Sequence, residues 1–189
     1  MSAAEYVVIF SSIVLGLALS AILINLDRLL RQARKVRWDW APPLLAIVVV
    51  LLLVQVWWSL FPGEDAQPTT IGGFLPQLGL LVLLFLLAGA VLPSEVPDEG
   101  LNLKAYYQAN GPYFWSLMTA TLGWVAATNA GEALVRGEPV GPVLAGRWVD
   151  LVILALFASL IVVRNRWWHA VVIAVAMIGP IGWLSRSVG

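Results

Sequence analysis

Pro43–Phe61 reads PLLAIVVVLLLVQVWWSLF, a run without a charged residue and with Gln55 and Ser59 as its few polar side chains. A bilayer's hydrocarbon core is about 30 Å thick and takes roughly 20 apolar residues of helix. The β-branched stretch Ile47–Val54 would suit a buried strand in water. Length and unbroken apolarity decide otherwise, because lipid offers no hydrogen-bond partner and each span must satisfy its own backbone. A membrane barrel would alternate apolar and polar residues over about ten positions, and no segment here does. The run therefore predicts a transmembrane helix, opened by Pro42-Pro43 and closed by Pro62-Gly63.

Working outward, five more segments have similar character. The expected spans are 6–26, 43–61, 71–92, 112–130, 148–163 and 167–184. Tryptophans cluster at their ends: Trp38 and Trp40, Trp57 and Trp58, Trp148, Trp167 and Trp168. Indoles prefer the headgroup level; Trp124, in mid-span, is expected to face protein or a cavity. The whole chain agrees with this reading. Of 189 residues, 60% are hydrophobic and 12% charged, with a mean hydropathy of +0.87. A soluble domain is about half apolar and roughly a quarter charged. The expected fold is an all-α integral membrane protein, one domain over 1–189. Its six transmembrane helices form a bundle, with a short interfacial helix between the third and fourth. That short helix is expected within Ser94–Gly111, capped by Asp98 and Glu99, carrying Tyr106 and Tyr107, and ending at Gly111.

Charge placement predicts orientation. No basic residue precedes the first span, and Arg28, Arg31, Arg34, Lys35 and Arg37 follow it. The loops after the first, third and fifth spans hold eight basic residues, and the other side holds Arg136, Arg147 and Arg186. The positive-inside rule then puts both termini outside a bacterial inner membrane. The cluster Arg28–Arg37 is also a candidate cytoplasmic patch for anionic lipid or an acidic partner.

Two helix faces carry small residues. Ser12, Gly16 and Ser20 form a small-xxx-small stripe on the first helix. Ser116, Ala120, Gly123 and Ala127 form one on the fourth. Such stripes let backbones approach closely, so the two faces are expected to pack inside the bundle or against another subunit. Gly16→Leu and Gly123→Leu are accordingly expected to disturb folding or assembly. Gln55, Gln77 and Trp124 form a candidate intramembrane polar site, in which the two glutamines would hydrogen-bond each other or line a solute pocket.

The chemistry is bounded by what is scarce. Net charge is zero, against a nucleic-acid partner. There is no Cys and a single His, His169. That removes thiolate chemistry and bis-histidine ligation, and neither H-E-x-x-H, G-x-S-x-G nor a Walker A motif is present. No catalytic residue, metal or cofactor is expected. The partners expected are the lipid bilayer and either another protein or a second copy. The functional expectation is an accessory or assembly subunit acting through helix packing; the alternative is binding or transport of a small solute or lipid.

Overall fold

The computed structural model describes residues 3–60, 71–137, 139, 141–142 and 146–184. Six helices account for almost all of it: α1 (Ala3–Arg31), α2 (Ala41–Ser59), α3 (Ile71–Val91), α4 (Leu103–Val135), α5 (Trp148–Val162) and α6 (Arg166–Leu184). Phe61, Pro62, Gly63 and Arg186 lie outside the described residues. Within α1, α2 and α3, the stretches Glu5–Arg31, Ala41–Ser59 and Gly72–Val91 are long and apolar enough to cross a membrane. Helix α5 and the stretch Arg166–Gly179 of α6 are shorter apolar helices.

The packed side of α1 is Ser11, Leu15, Ala18, Ile22, Asn25 and Leu29, none more than 7% exposed. Their alternating steps of four and three make a seam of the kind that interdigitates with a neighbouring helix. It packs chiefly on α3. The two helices run parallel: Phe10 meets Phe74 edge-on near one end, and Asn25 Nδ2 reaches Leu92 O near the other. Helix α4 runs back against α3, with Tyr106 Oη donating to Ala90 O and Trp124 Nε1 to Pro76 O. Its other flank packs on α5, and α6 closes against α2 and α5.

The segment between α3 and α4 differs from expectation. There is no separate interfacial helix ending at Gly111. Asn102, rather than Asp98 or Glu99, caps a single helix by accepting from Lys104 N and Ala105 N at 3.0 and 3.3 Å. That helix passes unbroken through Gly111-Pro112. An interior proline costs about 3 kcal/mol or more. Here the turns before it are fixed by tertiary contacts: Leu103 is fully buried, and Tyr106 is bonded to the last turn of α3. Those contacts outweigh a local breaker.

The loops after α1, α3 and α5 meet at one end. Val36–Arg37 (β1) and Leu101–Asn102 (β2) form a two-residue parallel ladder. Arg28 Nη1 donates to Ser94 O at 2.7 Å, and Lys35 Nζ lies 3.1 Å from Asp98 Oδ1. Gly100 has φ +95°, a conformation glycine adopts freely. A Cβ there would sit 2.8 Å from Lys35 O, so the backbone entering β1 passes where only hydrogen fits. Arg166 pairs with Asp39, binding the α5–α6 loop to the entry of α2.

Candidate functional site

The most built-up polar cluster lies beneath this platform, where α4, α5 and α6 converge. Trp115 is 1% exposed and His169 7%. The Trp115 ring sits 5.4 Å from that of Phe157 and 6.2 Å from the imidazole, centre to centre. Three hydrogen bonds connect the cluster. Val163 O can only accept, so His169 Nε2 donates to it at 2.7 Å. In the neutral imidazole Nδ1 is then the acceptor, and the Tyr107 hydroxyl, 2.5 Å away, donates to it. Trp115 Nε1 completes the chain by donating to the Tyr107 oxygen at 3.1 Å. Burial pushes the Tyr107 phenol up to about 12, with the Trp115 hydrogen bond working against it, so the hydroxyl remains a donor at ordinary pH.

Beside this relay, Asp39 uses both carboxylate oxygens. Oδ1 accepts from Ala41 N at 3.2 Å and Oδ2 takes Arg166 Nη2. The Asp39 side chain is 9% exposed. The Arg166 guanidinium carbon lies 5.9 Å from the centre of the Trp40 ring, within reach of a cation–π attraction. Asn165 Oδ1 accepts from Trp167 N at 3.0 Å and starts α6.

The basic residues of Arg28–Arg37 are partly committed inside the chain. Arg28 and Lys35 hold the neighbouring loop, and Arg31 pairs with Asp27 at 2.7 Å. Arg34 and Arg37 are exposed.

The candidate intramembrane site is not brought together. Among the described residues Gln55 and Gln77 do not hydrogen-bond each other, and Gln77 Nε2 is buried without a partner. Gln55 lines a groove of about 710 Å³ whose walls come from α2 to α6, including Val48, Leu84, Met118, Phe157 and Ala176. Its polar neighbours are occupied elsewhere: Ser59 Oγ donates to Val56 O and Thr121 Oγ1 to Leu117 O. Trp124 is 40% exposed and lies across Gly79 of α3. A Cβ at Gly79 would fall 2.4 Å from the indole. Gly79→Ala is expected to cost about 1–3 kcal/mol through overpacking, read from thermal unfolding in detergent. Adding Trp124→Leu should recover most of that loss, whereas additive effects would show that the indole is not the obstacle.

The two small-residue stripes do not pack against each other. Gly16, Ser20, Ser116, Ala120 and Ala127 are exposed, and Ser12 and Gly123 half-buried. A Cβ at Gly16 would meet nothing within 4 Å, and one at Gly123 only Leu154 at an ordinary 3.7 Å. Ser12 and Gly16 instead border a surface notch of about 230 Å³ whose far wall is Leu53, Val54 and Trp57 of α2.

Gly79 and the Trp115–Tyr107–His169 relay were not singled out from sequence as a site. Tyr107 and His169 were each visible as polar residues near span ends, but nothing local joins them. Among the described residues no group of three or more His, Asp or Glu is placed to hold a metal. Comparison with protein-family models, with curated proteins and with solved structures finds no match for this chain.

Proposed function

We propose that the chain is a six-span membrane protein that works as an accessory or assembly subunit, packing an outward helix face against a partner helix or a second copy of itself. One observation carries this reading: the Ser12–Gly16–Ser20 face is turned outward, beside the notch between α1 and α2. In lipid, helices associate through close van der Waals fit rather than the hydrophobic effect, so small residues along a notch favour a closely approaching helix. The reading includes no catalytic role.

Six spans require α4, α5 and α6 to cross as well. Helix α4 is long enough, with its membrane part from Pro112 to about Ala130 and its first turns in the headgroup region. At 15 residues α5 is about 22 Å long, which a thinned bilayer or the preceding segment must make up. The meeting of the loops after α1, α3 and α5 at one end suits spans of alternating direction. The basic residues concentrated in those loops favour the inner face of a bacterial membrane, with both termini outside.

Gly16→Leu tests the reading. Because a Cβ at that position meets nothing within 4 Å and glycine is a poor helix former, the stability of the single chain should not fall. Native mass spectrometry of gently extracted protein should meanwhile lose the oligomer or co-purifying protein seen with wild type. A wild-type monomer without a protein partner, or an assembly indifferent to Gly16→Leu, sinks it.

The groove containing Gln55 favours a second reading, binding or transport of a small solute or lipid. Its volume lies in the range of ligand pockets, and its apolar walls, with a Gln55 amide that has no partner among the described residues, suit an amphiphile. A monomer that retains a bound small molecule, released by substitution at Gln55, would move the balance to it.

A further inference from the structure

We propose that the cleft between the start of α2 and the start of α6 binds the phosphate headgroup of an anionic membrane phospholipid. The cleft has a volume of about 470 Å³ and is lined by Trp40, Arg166, Trp167 and Ala170. Arg166 is held at its mouth by the buried carboxylate of Asp39 through Nη2. Among the described residues its Nε and Nη1 have no acceptor, and its side chain remains 41% exposed. The guanidinium is thus oriented without being used up, the arrangement in which a planar fork recognises phosphate best.

Two further cations stand close to the cleft residues in sequence. Arg37 lies two residues before Asp39, and Arg164 two residues before Arg166, both exposed. Asp39 is paired with Arg166, the cation that lines the cleft. The other acidic groups of the platform are Glu95, Asp98 and Glu99, and Asp98 is already paired with Lys35. Basic pockets between helices at the cytoplasmic face are where anionic headgroups bind.

The occupant is a lipid rather than free phosphate because of what continues from the cleft. Trp167, Val171, Val175 and Ile178 follow one another down one exposed side of α6, 82%, 53%, 38% and 67% exposed. Steps of three and four keep them on one face. A phosphate held at Arg166 would lay its acyl chains along this apolar track, with Trp38, Trp40 and Trp167 at headgroup level. The proposal rests on the membrane reading and is independent of the assembly reading.

The test uses the full chain in a neutral maltoside detergent, with phosphatidylglycerol, phosphatidylcholine or inorganic phosphate added. Phosphatidylglycerol should raise the thermal midpoint and remain bound in native mass spectrometry, and the other two should do neither. Arg37→Gln with Arg164→Gln, both at exposed positions, should weaken phosphatidylglycerol binding roughly thirtyfold, from about fivefold for each cation removed near an anionic headgroup. Arg166→Gln alone strands a buried carboxylate, so it is made together with Asp39→Asn. That pair should abolish the preference while leaving the midpoint in phosphatidylcholine close to wild type. Equal effects of the two lipids, or variants that keep the preference, overturn the proposal. Millimolar phosphate matching phosphatidylglycerol overturns the lipid assignment in favour of a free anion. A chain that resists alkaline extraction from membranes yet shows no lipid preference loses this site alone; a chain that is extracted loses the membrane reading with it.

Discussion

Trp115→Ala is expected to cost about 3–5 kcal/mol, the range for removing a large buried aromatic side chain. It should be the most destabilising of the single substitutions considered. Trp115 stands at the junction of three helices, touching the Phe157 ring on α5 and the His169 ring on α6 from its place on α4. Its loss opens a cavity that no single helix can close by shifting, because each is held by the other two. Graded substitutions separate packing from polarity. Tyr107→Phe keeps the ring but leaves Trp115 Nε1 and His169 Nδ1 without their shared partner. A buried donor or acceptor left unmatched costs about 1–3 kcal/mol. Trp115→Phe removes one donor while the Tyr107 hydroxyl still reaches His169, so it should cost less than the alanine variant. The expected order of midpoints in mixed-micelle unfolding is wild type, then Trp115→Phe and Tyr107→Phe, then Trp115→Ala. Wild-type stability in Tyr107→Phe would show that the relay contributes nothing.

How much of this was legible beforehand depends on what lipid does to a sequence pattern. The apolar runs announce helices, and three of them are long enough to span a bilayer by composition alone. Which face of such a helix is packed is much harder to read. On α1 the buried seam includes Leu15, Ile22 and Leu29, while Ile13, Leu17 and Leu23 are more than half exposed. Lipid tails are as apolar as leucine, so no polar side marks the outside. Ser12, Gly16 and Ser20 drew attention because they were small, and they lie on the open side. The steps from Ser11 to Leu29 were present in the sequence but looked like any other apolar spacing.

The region between α3 and α4 failed for a different reason. Gly111-Pro112 is a sound local breaker signal, and the contacts that overrule it come from Ala90 on α3 and from the platform around Leu103. The candidate site was illegible for the same cause. Tyr107 and His169 are 62 positions apart, and Asp39 and Arg166 are 127 apart. Their residue types were visible, but only the return of the chain at the end of α5 makes them neighbours. The basic cluster shows the reverse: from sequence it is a uniform patch, whereas Arg28 and Lys35 are tethers to the loop between α3 and α4.

Those tethers make Gly100 the other sensitive position. Gly100→Ala is expected to cost about 1–3 kcal/mol from its left-handed backbone alone, plus the cost of moving β1 off a Cβ placed 2.8 Å from Lys35 O. Gly137 isolates the second contribution. It also has a positive φ, +74°, but a Cβ there would meet nothing within 4 Å. Gly137→Ala should therefore show only backbone strain, and the difference between the two variants measures how tightly β1 is seated. The damage at Gly100 should also be local. Separating Val36 from Leu101 and Arg37 from Asn102 frees the Lys35–Asp98 pair and the loop that leads to the Asn102 cap, while the α1–α3 seam lies beyond its reach. Amide exchange should rise in residues 94–104 and 33–38, leaving residues 11–25 protected. Equal losses at Gly100 and Gly137 would mean that β1 yields freely. The platform would then be a loose covering of the bundle end rather than the clamp that aligns the loops after α1 and α3.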